Sequence, residues 1–95
     1  MDKIIDKLKQ FIKDRNWEKF HTPENLVKSI SIEAGELLEL YQWGNDWQEI
    51  DIKRVKEELA DILIYSILLS EKYNFDIEEI ILSKIKKNER KYPLL

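Results

Sequence analysis

Apolar residues recur along this chain with a helical period. Ile4, Ile5, Leu8, Phe11 and Ile12 follow the i, i+4, i+7, i+8 pattern and predict a first amphipathic helix over about residues 2–14. Arg15 to His21 is polar and aromatic and reads as a connection. Thr22 followed by Pro23 marks a helix start, a hydroxyl N-cap and then a residue with no N–H to leave unpaired. This second helix is expected to run to about Trp43, with Gly44 as its stop. Residues 44–51 read as a loop, and Asp51 as the cap of a third helix over about 52–73. From Leu59 to Leu69 that helix is apolar nearly all the way round, which predicts cover on every side, part of it from a second copy of the chain. Asn74-Phe75 makes a turn, and Asp76 with Glu79 forms a capping box for a last helix over about 77–91, ended before Pro93. The expectation is an all-α, four-helix bundle-type domain spanning residues 1–95 and completed by oligomerisation.

Composition narrows the class. Two Gly and two Pro among 95 residues suit long helices rather than a turn-rich β fold. With no Cys, disulfides and thiolate metal sites are excluded. Met1 to Asp6 lacks the apolar run of a leader, and Ile62 to Leu69 is too short to cross a membrane. A soluble, cytoplasmic protein that does not contact membranes is expected. The net charge of −3 argues against a coat for nucleic-acid polymers. Its distribution matters more: residues 33–61 carry most of the acids, while Lys84, Lys86, Lys87, Arg90 and Lys91 make the tail basic.

Some of those acids stand where apolar residues belong. With Glu33 at 0° on the second helix, Leu26 lies at about 20°, Leu37 at about 40° and Leu40 at about −20°, and Glu36 borders this stripe at about −60°. On the third helix, with Glu58 at 0°, Ile62 lies at about 40°, Leu69 at about 20° and Tyr65 at about −20°, and Asp61 again at about −60°. Each helix thus turns an acidic i, i+3 pair toward the surface it should bury. Clustered carboxylates repel one another and lose hydration, so they need cations. Arg54 and Lys72, at about −40°, are the only basic candidates in these stripes. Hard divalent ions fit better, because carboxylate oxygens are what Mg²⁺ prefers. A di-iron carboxylate bundle would need Glu-x-x-His pairs, and His21, the one histidine, is not so placed.

The assembled pattern is Glu33-x-x-Glu36, residues 37–57, then Glu58-x-x-Asp61. It resembles that of the MazG-like, all-α nucleoside triphosphate pyrophosphohydrolases, and among them the dCTP pyrophosphatase branch. Residues 15–26 (RNWEKFHTPENL), Gln42-Trp43, Leu63-Ile64-Tyr65 and the tail Ser83-Lys84-Ile85-x-x-Asn88-x-x-Lys91-Tyr92-Pro93 carry the likeness over roughly residues 8–93.

The resemblance implies hydrolysis of a (deoxy)nucleoside triphosphate to the monophosphate and pyrophosphate, a nucleotide-pool activity with dCTP the first candidate substrate. It implies Glu33, Glu36, Glu58 and Asp61 as Mg²⁺ ligands and catalytic residues, with Mn²⁺ as an alternative ion. One of the glutamates would act as general base, a choice the sequence leaves open and for which Glu36 is taken. Lys84 and Asn88, with Lys91 and Tyr92 nearby, resemble the family's phosphate and sugar contacts. Trp17 and Trp43 resemble aromatics that enclose the base, His21 is a phosphate contact or a loop anchor, and Tyr65 lines the pocket. Leu8 stands where the closest relatives place a polar base-contacting residue, which weakens pyrimidine selection. Family members form homodimers, or tetramers built from two dimers, and the third helix fits that burial. The competing readings are a non-catalytic helical nucleotide-binding or interaction module and a purely structural bundle, which leaves the buried acids unexplained.

Overall fold

The computed structural model describes residues 1–44 and 49–94, so the loop expected over 44–51 lies partly outside the described residues. The described residues form four α-helices and no strand: α1 (Asp2–Asp14), α2 (Pro23–Glu39), α3 (Ile52–Lys72) and α4 (Ile77–Lys91), with a 3₁₀ turn at Glu18–Phe20. Three helix starts are set by side chains that accept otherwise orphaned amide protons. Thr22 Oγ1 accepts from the Asn25 amide at 3.2 Å, ahead of Pro23 in the first position. Asp51 Oδ1 accepts from the amides of Lys53 and Arg54 at 3.1 and 3.4 Å. Asp76 Oδ1 accepts from the Glu79 amide at 3.1 Å.

The helix ends follow a different rule from the expected glycine stop. Asn16 and Asn74 take the left-handed conformation, with φ of 56° and 57°. After α1, the Trp17 amide donates to the Ile12 carbonyl at 3.1 Å and Asn16 to Lys13 at 3.0 Å. After α3, Phe75 donates to Ser70 at 2.9 Å and Asn74 to Glu71 at 3.1 Å. Both are Schellman closures with asparagine in the place glycine more often takes. Gly44 does neither, since no glycine has positive φ. The α2 helix ends at Glu39, short of Trp43, because the chain tightens into i→i+3 bonds, Tyr41 to Leu38 at 3.0 Å and Gln42 to Glu39 at 3.1 Å. Those bonds satisfy the last carbonyls before Gly44 is reached.

The α2 and α3 helices pack along their length and form the frame of the fold. Leu26 of α2 is fully buried and, with Ile12 of α1 and Leu68 of α3, makes a small core flanked by Leu8, Ile64, Tyr65 and Leu69. The Lys9 ammonium, 2.8 Å from Glu71, adds a polar tie between α1 and α3. Within one chain, α3 is not covered all round: Leu59 and Leu63 are exposed. On α4, Ile80, Ile81, Leu82 and Ile85 are exposed as well. The radius of gyration is 16.2 Å, against roughly 12–13 Å for a compact domain of this length, so the chain is splayed.

With so few buried residues, each carries a large share of stability. Replacing Leu26 with Ala should destabilise the metal-free protein by about 2–5 kcal/mol. Urea denaturation in EDTA measures this, and a loss below about 1 kcal/mol would place the core elsewhere.

Candidate metal centre and adjoining cleft

The packing of α2 on α3 brings three acids together. One carboxylate oxygen from each of Glu33, Glu36 and Glu58 lies within 4.8 Å of the others. Glu58 is buried, only 9% exposed, and Glu33 and Glu36 are half-buried. Among the described residues, Glu33 Oε2 and Glu58 Oε2 are shut off from solvent with no amide, hydroxyl, ammonium or guanidinium donor in reach. Arg54, one turn before Glu58, reaches Oε1 at 3.5 Å, the outer limit of a hydrogen bond, through a guanidinium that is itself half exposed. Lys72, the other base on this stripe, is not in salt-bridge contact with the cluster.

Electrostatics follow from this crowding. Burial pushes the Glu33 carboxyl up to about 7, helped by hydrogen bonding with Glu58 and Glu36 and by the charges of Glu36 and Asp61. Hydrogen bonding from Glu33 holds Glu58 below the usual carboxylate range, with burial opposing and Glu36 and Arg54 assisting. Without a cation, a proton is therefore held more tightly on Glu33 than on Glu58. That is the relief open to two buried carboxylates that no amide, hydroxyl or amine satisfies. A hard divalent ion relieves them more fully, and an all-oxygen donor set is the one Mg²⁺ takes.

Asp61 is not in the three-oxygen group. One turn beyond Glu58, it lines a cleft of about 510 Å³ that opens between α1 and α3. Tyr65, His21 and Trp17 line the same cleft, as do Leu8, Ile4, Lys7, Phe11, Ile12, Ile64 and Leu68. Trp17 is held edge-on to Phe11 at 5.7 Å, and Arg15 lies 3.6 Å over the Phe11 ring. His21 meets Tyr65 edge-on at 6.4 Å. Burial and then the charge of Lys72 lower the His21 pKa, so it is a neutral hydrogen-bonding group at pH 7. Burial, followed by the charges of Glu33, Asp61 and Glu36, raises that of Tyr65 and keeps the phenol protonated.

The remaining sequence candidates lie apart from this cleft within one chain. Trp43 is 91% exposed on the turn after α2. Lys84, Asn88, Lys91 and Tyr92 stand on the exposed α4 segment, with the Lys91 ammonium 5.4 Å from the Tyr92 ring. Sequence reasoning passed over Lys7 and Phe11, which α1 contributes to the cleft wall. The signal was present: both neighbour Leu8 and Ile12 on the apolar stripe of α1.

The chain matches the model of the MazG-like family over residues 28–95. It is 37% identical over 92 residues to dCTP pyrophosphatase 1 of Rattus norvegicus, covering 90% of this chain and 54% of that protein. Against dCTP pyrophosphatase 1 of Homo sapiens the identity is 38% over 91 residues, covering 88% of this chain and 54% of the other. The chain thus spans about half the length of the curated relatives it matches. The crystal structure of a pyrophosphatase from Archaeoglobus fulgidus superposes with a TM-score of 0.92 at 42% identity, covering 99% of this chain and 93% of that one. Among the described residues no helix is long and apolar enough to cross a membrane. By the match over residues 28–95 and by these relatives, the chain belongs to the MazG-like family.

Proposed function

We propose that this chain hydrolyses (deoxy)nucleoside triphosphates between the α and β phosphates, giving the monophosphate and pyrophosphate, as a cytoplasmic nucleotide-pool enzyme. The observation that carries the proposal is the pair of buried, donorless oxygens on Glu33 and Glu58, placed one helical turn from an aromatic cleft. In this reading Glu33, Glu36, Glu58 and Asp61 hold Mg²⁺, or Mn²⁺ in its place. When bound, the ion neutralises the polyphosphate and lowers the pKa of a water. A carboxylate within reach of that water would take up its proton, and Glu36, half-buried and not directly bonded to Arg54, is the candidate base. Trp17 and Tyr65 flank the base, and His21 supplies a neutral hydrogen-bonding group beside it. The dCTP pyrophosphatase relatives make dCTP the first substrate to try.

Assembly belongs to the same proposal. The splayed α4 and the exposed Leu59 and Leu63 of α3 are apolar surface that a homodimer, or a tetramer of two dimers, would cover. Such a contact would also let Lys84, Asn88, Lys91, Tyr92 and Trp43 approach a neighbouring cleft, which they do not reach in their own chain. Sedimentation at micromolar concentration should show a species above 11.5 kDa, and a monomer alone would remove this part of the reading.

Product analysis with a panel of NTPs and dNTPs plus Mg²⁺ tests the reaction. The protein should release monophosphate and pyrophosphate, and Glu36→Gln should lower the rate by roughly 10²–10⁴. Orthophosphate as first product would mean another bond is cut, and no turnover on any nucleotide would favour a binding module.

The carboxylate pair also sets a pH dependence. Folded Glu33 titrates near 7, against an ordinary 4.5, so between those values the native state binds more protons than the unfolded chain. Stability of the metal-free protein from this group should therefore fall as pH rises from 4.5 to 7. Saturating Mg²⁺ displaces the proton and should abolish or reverse that slope. Thermal melts across this range, with EDTA and with Mg²⁺, check both signs. Parallel curves would mean that Mg²⁺ does not bind at the carboxylates.

A further inference from the structure

The α3 helix lays its functional groups out in a line. Tyr65, Asp61, Glu58 and Arg54 are separated by four, three and four residues, the spacing that keeps side chains on one helix face. At about 1.5 Å per residue, Glu58 stands about 10 Å along the axis from Tyr65, and Arg54 about 6 Å farther on. Arg54 is therefore on the opposite side of the carboxylates from the cleft. A nucleotide extended along α3, with its base beside Tyr65 and its first phosphate at the carboxylates, would point its remaining phosphates toward Arg54.

The contact that Arg54 makes now is a poor one for an arginine. A single Nη2 reaches a single Glu58 oxygen at 3.5 Å, and the guanidinium is 53% exposed while the Glu58 side chain is 11% exposed. A guanidinium has five N–H donors in a planar fork, suited to bidentate binding of phosphate or carboxylate, and this contact with Glu58 engages only one nitrogen of that fork. Among the described residues, it is the one basic side chain within salt-bridge distance of the carboxylate cluster.

We propose that Arg54 binds the β- and γ-phosphate end of the substrate, and the pyrophosphate product, and that its contact with Glu58 is where it rests when no polyphosphate is present. The proposal rests on the reading of the carboxylates and cleft given above. A divalent ion on Glu58 removes the charge that holds Arg54 and repels it, while the polyphosphate offers several oxygens to the fork. Arg54 thereby makes the site prefer triphosphates over diphosphates, since a diphosphate offers it one phosphate fewer.

The test compares wild type, Arg54→Ala and Arg54→Lys as intact protein. Three quantities are measured: Mg²⁺ binding by calorimetry, binding of inorganic pyrophosphate with Mg²⁺ present, and kcat and KM for a nucleoside triphosphate against its diphosphate. The Ala variant should bind Mg²⁺ at least as well as wild type and pyrophosphate about ten-fold more weakly, the scale of one charge-assisted hydrogen bond. It should also lose most of the triphosphate preference, through KM rather than kcat. The Lys variant, with a point charge in place of the fork, should fall between. Unchanged pyrophosphate affinity in the Ala variant, with Mg²⁺ bound and wild type active, would overturn the role of Arg54 alone. Weaker Mg²⁺ binding in that variant would overturn it too, making Arg54 a group that positions Glu58. A wild type that neither binds Mg²⁺ nor hydrolyses any triphosphate would overturn the site reading itself, and this assignment with it.

Discussion

Packing α2 against α3 forces Glu33, Glu36 and Glu58 into one another's company, and much of the molecule follows from that repulsion. Two helices joined by Leu26 and Leu68 could be held by apolar contacts alone. Instead, the middle of their shared surface carries acids whose oxygens lie within 4.8 Å, two of them without a donor. Substituting apolar residues for such a cluster is commonly neutral or stabilising, so stability alone gives no reason to keep it. What the acids supply is a small volume of concentrated negative potential, screened from water and fixed by two rigid helices. Helical side chains hold position better than loops, which suits chemistry that depends on where an ion and a phosphate meet.

The same constraint explains why the cleft lies where it does. The i, i+3 and i, i+4 spacing of α3 that presents Glu58 to α2 also turns Asp61 and Tyr65 toward α1. One helix face therefore serves two neighbours, with the acid cluster on the α2 side and the aromatic cleft on the α1 side. The α1 helix needs little to stay in place: Ile12 against Leu68, and the Lys9–Glu71 bridge. So light an attachment makes the cleft wall the least secured part of the core.

What was legible in the sequence was local. The caps at Thr22, Asp51 and Asp76 announce themselves because a short oxygen-bearing side chain before an apolar period has one efficient use. The acids within the apolar stripes were legible for the converse reason, since a charge there contradicts the pattern around it. The stops were harder. Asn74-Phe75 was readable as a turn after α3, but Asn16, whose amide side chain tolerates positive φ, was hidden among other polar residues. Gly44 drew attention as the usual terminator of α2, which ends at Glu39 before reaching it. Tertiary placement was least legible. The all-round apolar stretch of α3 pointed to cover from beyond one chain, and Leu59 and Leu63 are exposed within it, but periodicity did not mark the isoleucines of α4 as uncovered. Nor could angles on separate helices show that Asp61 would face the cleft while three glutamates closed on each other.

The composition of the cleft bears on how sharply it can choose. Of its lining, Ile4, Leu8, Phe11, Trp17 and Ile64 offer surface without hydrogen-bond direction, apart from the Trp17 indole N–H. Strong discrimination between similar molecules comes from buried polar groups left unpaired by the wrong ligand, whereas apolar walls separate close analogues by only ~1–3 kcal/mol. Lys7, His21, Asp61 and Tyr65 are the polar groups present; on the proposed function Tyr65 flanks the base, and Asp61 sits at the carboxylate end of the cleft, where a sugar or first phosphate would lie. That leaves Lys7 and His21 to read the edge of a base, and Lys7 is exposed. Selectivity for the base then rests on shape and on His21, a weak filter. On the proposed function, the phosphate end, with its fixed acids and Arg54, would be the stronger one. A site built this way would recognise the triphosphate first and the base second.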